Sequence, residues 1–283
     1  MPATSFDPSD PSDSSLSSPA EEPHLLFEHN GHVAVATLNR PAKKNALSSE
    51  MLVRMHDAWM EVDQNPDIRV LIVTGAGGNF CSGADLKAMA AGHPDNEYSQ
   101  RFAADSDLHW KALLRHFIPN KPIIAAVEGY AVAGGTEILQ AMDIRVAGAS
   151  ATFGVAEVRR GLFPLGGSTV RLSRQIPYTV AAEILLTGRF VPAAEAHAIG
   201  LIGHVVPDGQ ALAKAHEIAE TIAANGPLAV QAVLRSMRAT REMPESEGLA
   251  LELEIGSPVF LSHDAQEGPT AFAEKRAPNF TGT

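Results

Sequence analysis

The chain has 283 residues, a formal net charge of −11 and a single cysteine, Cys81. That length suffices for one large core, or for a core with a helical appendage. The acidic balance argues against a nucleic-acid surface, whose phosphates need clustered Lys and Arg. One cysteine excludes an internal disulfide and a cysteine-rich metal site, which fits a reducing compartment such as the cytoplasm.

Residues 1–22 are built of Ser, Pro, Asp and Glu and are predicted to form a disordered tail, since they hold too little apolar surface to offset their ordering entropy. The tail has neither the basic start and apolar stretch of a secretory signal nor the Arg-rich character of a transit peptide. No membrane span is expected, because the longest apolar run, "PIIAAVEGYAVAGG", is broken by Glu and Gly well short of about 20 residues.

"HLLFEHNGHVAVATLN" places two apolar runs around Asn30 and Gly31 and predicts a hairpin. In "SSEMLVRMHDAWMEVDQNP", Met51, Leu52, Met55, Trp59 and Val62 fall at helical spacing behind the potential cap Ser48, and Pro66 follows. A buried strand "IRVLIVTG" comes next, then a turn at Ala84, a polar region to about Ser106 and a helix through Trp110 and Leu114. A second buried strand is expected in "PIIAAVEGYAV", followed by the Gly134 turn, a helix through Leu139, the strand "DIRVAG" and a short strand in "ATFGVAEV". Alternation of this kind predicts an α/β core over residues 23–207. From Val191 onward the pattern is helical, with "GHVVP" as a linking strand. Three or four amphipathic helices, largely within 208–283, would cover the core or a partner subunit.

Chemistry concentrates at two glycine-flanked turns, Gly83-Ala84-Asp85 and Gly134-Gly135-Thr136-Glu137, each after a buried strand and before a helix. Their backbone N–H groups, brought together, could stabilise one developing oxyanion without a metal. Glu137 sits beside those donors at a helix N-terminus, where an acid is also simply favoured by the dipole. Glu157 is either a solvated turn acid or a second carboxylate, and two carboxylates on one substrate would serve general acid and base catalysis.

Other signals fail. Gly75 and Gly77 lack the third glycine of a dinucleotide fingerprint, because position 80 is Phe. Ser82 lacks the glycine two residues before it that a nucleophile elbow needs. No histidine pair has metal-ligand spacing, His29 and His32 straddle the hairpin turn, and no metal is expected. Lys43 with Lys44, and Lys275 with Arg276, are small basic spots that serve either solubility or a phosphate-bearing ligand.

The segments "LNRPAKKNALS", "FCSGADLKAM", "AVEGYAVAGGTEILQAMDIRVAG", "FGVAEVRRGLFPLGG" and "EGPTAFAEKRAPNF" resemble the crotonase superfamily, in its enoyl-CoA hydratase branch, from about His24 to the end of the chain. Within it the chain looks most like actinobacterial members, some of which act on sterol side-chain thioesters. The resemblance implies a spiral of repeated ββα units, a C-terminal helical trimerisation region and a homotrimer or dimer of trimers. It implies a thioester oxygen held by the N–H groups of Ala84 and Gly134. The two family glutamates fall on Glu137 and Glu157, which would position a water for addition at C3 and transfer a proton at C2 of a 2-enoyl-CoA. Coenzyme A, a part of the substrate rather than a cofactor, would lie along Lys44, Ala46, Ala84, Asp85 and Leu86. Phe272 and Lys275 of a neighbouring subunit would cover it, and the acyl chain would pass Met89, Trp110 and Phe163.

After Glu157 the chain departs from the common pattern, with "VRRGLFPLGGSTVRL" where many hydratases carry an apolar stretch and "PGAGGTQRL". Arg159 or Arg160 beside Glu157 would lower its pKa, unless both face solvent. Ala133 stands where a glycine is often found. Isomerisation of a 3-enoyl-CoA is the alternative reaction, and a non-catalytic protein that binds RNA or a partner is the alternative class.

Overall fold

The structure, a computed structural model, describes residues 22–86 and 96–283, so the expectations for the tail up to residue 21 and for Met89 lie outside the described residues. Leu25–Asn30 (β1) and Val33–Leu38 (β2) pair antiparallel, as the Asn-Gly turn between two apolar runs dictates. Ser49–Gln64 (α1) starts where Ser48 Oγ accepts the Met51 N–H at 3.1 Å and stops short of Pro66. Its stripe of Met51, Met55, Trp59 and Val62 is fully buried, each side chain contributing about 2 kcal/mol relative to exposure. The one polar atom in that stripe is satisfied, since Trp59 Nε1 donates to the Ala112 carbonyl at 2.9 Å.

The chain continues through Val70–Gly75 (β3), Glu97–Ala104 (α2), Leu108–Ala112 (α3), Ile123–Val127 (β4) and Tyr130–Val132 (β5). Gly134–Leu139 (α4), Ile144–Gly148 (β6) and Thr152–Gly154 (β7) follow, then Ser168–Gln175 (α5), Tyr178–Thr187 (α6) and Phe190–Pro192 (β8). The last part holds Ala193–Ala198 (α7), His204–Val206 (β9), Ala211–Ala223 (α8), Pro227–Thr240 (α9), Glu245–Gly256 (α10) and His263–Glu274 (α11).

Two sheets organise these elements, one of six strands in the order β1-β2-β3-β4-β6-β9 and one of three in the order β5-β7-β8. All pairs of the larger sheet beyond β1 and β2 are parallel. Its central strands are buried on both faces, as near-continuous apolar runs require. Leu71 and Val73 of β3 face the cluster that holds α1, whereas Val70 and Ile72 face Ala211, Ala215 and Ala219 of α8. The stretch beyond residue 207 therefore supplies part of the core packing as well as outlying helices. The predicted α/β class holds.

Several local expectations are corrected. The strand expected across "PIIAAVEGYAV" breaks at Glu128 and Gly129 into β4 and β5, which join different sheets. The polar region before Ser106 contains α2, capped by Asn96, whose Oδ1 accepts the Ser99 N–H at 3.0 Å. The helix expected through Leu114 ends at Ala112, and Leu114 takes a left-handed φ of 54°. Between Glu157 and Ala193 lie α5, α6 and β8, none of which the sequence pattern singled out, and α11 escaped notice because Pro269 interrupts its helical signature.

Candidate active site

Backbone pairing brings the two glycine-flanked turns together. The Cys81 N–H donates to the Tyr130 carbonyl at 2.8 Å and the Val132 N–H to the Cys81 carbonyl at 2.9 Å, so the segments that lead into the turns run side by side. Gly83 then passes the second turn so closely that a Cβ on it would lie 2.7 Å from Ala133 Cβ and 3.2 Å from the Gly134 nitrogen, and its φ is 86°. Only glycine meets both conditions. Leu47 fixes the first turn on either side of Ala84, donating to the Gly83 carbonyl at 2.8 Å and accepting from the Asp85 N–H at 3.2 Å. Neither the Ala84 nor the Gly134 N–H donates to a backbone carbonyl of another of the described residues. Ala133 carries φ 50° and ψ −125° at the second turn, a conformation that costs a non-glycine residue about 1–3 kcal/mol.

The residues expected along coenzyme A surround the first turn in different ways. Arg40 clamps it, with Nη1 on the Ala46 carbonyl at 2.6 Å and Nη2 on Asp85 Oδ2 at 3.0 Å, a pair whose side chains are only 13% and 10% exposed. Asp85 is therefore held as a structural acid beside Ala84, and Ala46 is buried. Lys44 is exposed, its Nζ 4.2 Å from the centre of the Tyr130 ring, and Leu86 is exposed immediately after Asp85. Sequence reading missed Asn45, which is fully buried, accepts the Arg40 N–H at 2.8 Å and donates to the carbonyls of Ala76 and Asn79. It knits the Lys44 loop to the strand exits, and its only signal in the sequence is its place inside "KKNAL".

Glu137 follows Gly134 on α4 and is buried, its Oε1 accepting the Ser168 N–H at 3.3 Å. Burial pushes its pKa up, while the N–H groups of Ser168 and Gly166, the Ser168 hydroxyl and the Arg171 guanidinium act in the opposite direction. Glu157 opens a one-turn 3-10 helix, Glu157–Arg160, and its Oε2 is buried without a hydrogen-bond partner. Burial, with the charge of Glu137 as the second cause, raises its pKa to about 7. The structure thus brings the two sequence-predicted carboxylates into electrostatic contact and separates their environments.

The arginines after Glu157 do not pair with it. Arg159 turns away, donating to the Thr187 carbonyl at 3.2 Å and lying 5.5 Å over the Phe190 ring, and Arg160 is exposed. The expectation that either would lower the Glu157 pKa is overturned, and the alternative, that both face solvent, holds, since both are exposed.

Phe163 is exposed between Glu157 and the Gly166 backbone that abuts Glu137. Trp110 sits under the Arg115 guanidinium at 5.2 Å, and the segment that follows α3 is tied to the Glu137 wall: Arg115 donates to the Leu165 carbonyl and Arg171 to the Leu114 carbonyl at 2.5 Å. Phe272 lies on the exposed last turn of α11 and Lys275 is the exposed residue that ends it, with no hydrogen bond or ring contact to either glycine-flanked turn among the described residues. No group of three or more His, Cys, Asp or Glu among the described residues could hold a metal ion, and no described helix is long and apolar enough to cross a membrane.

The two turns, paired side by side through Cys81 and Ala131, with the buried Glu137 after the second and the half-buried Glu157 interacting with it, make up the candidate site. The chain matches the enoyl-CoA hydratase/isomerase family over residues 28–283 and belongs to that family. It is 59% identical over 258 residues to enoyl-CoA hydratase EchA19 of Mycobacterium tuberculosis, covering 91% of this chain and 96% of that protein. It is 38% identical to the (E)-benzylidenesuccinyl-CoA hydratase of Thauera aromatica, over 91% of this chain and 99% of the relative. A crystal structure of an enoyl-CoA hydratase from Mycobacterium tuberculosis H37Rv superimposes with a TM-score of 0.84 at 42% identity, covering 93% of this chain and all of that one. The fold is accordingly the crotonase fold that the sequence resemblance implied.

Proposed function

We propose that the protein is an enoyl-CoA hydratase that adds water reversibly and syn across a 2-enoyl-CoA to give the 3-hydroxyacyl-CoA. The observation that carries this reading is the pair of interacting, partly desolvated carboxylates, Glu137 and Glu157, beside two backbone donors. Ala84 and Gly134 donate to the thioester oxygen and stabilise the negative charge that reaches it as a nucleophile adds at C3. Glu137, supported by the N–H groups of Ser168 and Gly166, is the carboxylate that takes a proton from the attacking water. Glu157, whose pKa near 7 keeps a proton available at neutral pH, delivers it to C2 of the enolate. The proton gained by Glu137 and the charge left on Glu157 re-equilibrate between the two interacting carboxyls before the next turnover.

Lys44 and Leu86, both exposed around the first turn, would meet the coenzyme A part of the substrate, and Trp110 and Phe163 would line the acyl path. Phe272 and Lys275 would act from a neighbouring subunit. Exposed Leu253, Phe260, Leu261 and Phe272 on and around the last helices support assembly as a homotrimer or a dimer of trimers. No cofactor or metal enters this scheme, and the proposed setting is the cytoplasm.

The test is loss of the conjugated enoyl thioester absorbance when the purified protein meets crotonyl-CoA and a bulkier 2-enoyl-CoA. Rapid loss with formation of 3-hydroxyacyl-CoA is expected. Absence of loss with every 2-enoyl-CoA, despite binding of CoA esters, would favour isomerisation of 3-enoyl-CoA instead.

A further inference from the structure

Ser168 lies in the stretch where the sequence leaves the common hydratase pattern, and the reaction scheme above uses only its N–H. Its side chain is fully buried at the first residue of α5, and its Oγ is 2.9 Å from Gln140 Nε2. Gln140, 2% exposed, follows Glu137 by three positions at the end of α4, a spacing that puts both side chains on one face. A hydroxyl owns one proton and can accept as well, whereas an amide nitrogen only donates. With Gln140 as donor, the Ser168 proton is free to go elsewhere, and the Ser168 backbone already touches Glu137 Oε1 at 3.3 Å. The opposite amide orientation would give that proton to a neutral carbonyl and leave a buried NH2 group without an acceptor. A carboxylate is the stronger acceptor, and an orphaned carbonyl such as Gln140 Oε1 is the milder defect.

We propose that Gln140 and Ser168 form a positioning relay for Glu137: the amide orients the hydroxyl, and the hydroxyl donates to the carboxylate, holding it ionised and in one rotamer while Glu157 keeps the proton. The inference rests on the hydratase reading for its consequence in turnover, though not for the bond itself. It explains how two interacting carboxyls in one site are assigned different protonation states, because Ser168 lies against Glu137, whereas Glu157 Oε2 has no hydrogen-bond partner among the described residues. The other charges facing Glu137 are Glu157 from its 3-10 turn and Arg171 from α5. Arg171 is fixed on the carbonyls of Leu114 and Gly166, which substitutions at 140 and 168 leave in place.

The experiment compares kcat/KM for crotonyl-CoA as a function of pH in the wild type and in Ser168→Ala, Ser168→Thr, Gln140→Leu and the Ser168→Ala/Gln140→Leu double variant. An infrared titration of the substrate-free proteins, with Glu137→Gln to assign the band, reads the Glu137 carboxyl directly. Loss of a hydroxyl donor raises a carboxyl pKa, so the acid limb of Ser168→Ala and its infrared midpoint should both move up by about one pH unit. That corresponds to about tenfold lower kcat/KM on the acid side, with KM changed less than about twofold. Gln140→Leu should shift in the same direction by less, the double variant should match Ser168→Ala, and Ser168→Thr should restore the wild-type profile. Profiles and midpoints that coincide with wild type in Ser168→Ala would overturn the relay, as would a fall in Tm with the profile unmoved. If the wild type hydrates no 2-enoyl-CoA, the hydratase reading fails, and the infrared midpoints alone decide whether the relay exists.

Discussion

A single methyl group at Gly166 should harm the chemistry by displacing Glu137. A Cβ there would lie 2.6 Å from Glu137 Oε2, 2.8 Å from its Cδ and 2.9 Å from its Cβ. Carbon contacts are comfortable only from about 3.5 Å, so the carboxylate must retreat by roughly 0.8 Å. Because Glu137 Cβ is crowded too, rotating the end of the side chain cannot clear the clash, and Glu137 is buried among packed neighbours. Displacement of a catalytic group by nearly an ångström costs on the order of 100-fold in kcat, about 2.7 kcal/mol in activation free energy. The oxyanion donors and the Lys44 loop are untouched, so KM for crotonyl-CoA should change little. Initial rates of enoyl absorbance loss for Gly166→Ala, with thermal unfolding to show a folded protein, measure this. A folded variant with kcat within about threefold of wild type would refute the placement of Glu137 against the Gly166 backbone.

Three other substitutions probe separate parts of the site. Glu157 has a folded-state pKa of about 7 against an ordinary 4.5, so the native state holds a proton that the unfolded chain releases, and stability falls as pH rises between those values. Glu157→Gln lacks this loss: its Tm should match wild type near pH 4.5 and exceed it at pH 8, and a constant gap across that range would contradict the assignment. Asp85→Asn leaves the nearly buried Arg40 guanidinium without its carboxylate, and urea unfolding should show a loss of about 3 kcal/mol with a raised KM; a cost under about 1 kcal/mol would sink the clamp. Ala133→Gly relieves a conformation that costs about 1–3 kcal/mol and gives back somewhat less in unfolded-chain entropy, so Tm should rise with kcat preserved. A lower Tm would show that Ala133 is not strained.

Local patterns carried much of the fold. The Asn30-Gly31 hairpin, the Ser48 cap and the Met51 to Val62 stripe were legible because each depends on neighbours within one element. The break at Glu128 was not, since β4 and β5 are each apolar and only the second sheet gives them different partners. In the site, the glycine-flanked turns and both glutamates could be named from sequence, the glutamates by their motifs. Their convergence could not, because it depends on the Cys81 to Ala131 pairing across the chain. The effect of Arg159 was misjudged for the same reason: adjacency in sequence to Glu157 says nothing of the Thr187 carbonyl and Phe190 ring that draw it away. Asn45 was invisible because its contacts reach Ala76 and Asn79, more than thirty residues on.

The central claim is that two carboxylates with unlike protonation states act on one thioester, and single substitutions at each test it most directly. Hydration of crotonyl-CoA should be measured for Glu137→Gln and Glu157→Gln beside wild type, with conversion of a 3-enoyl-CoA followed in parallel. Each variant should lose about 100-fold or more in hydration rate while still binding CoA esters. Hydration that survives either substitution near the wild-type rate would contradict the account.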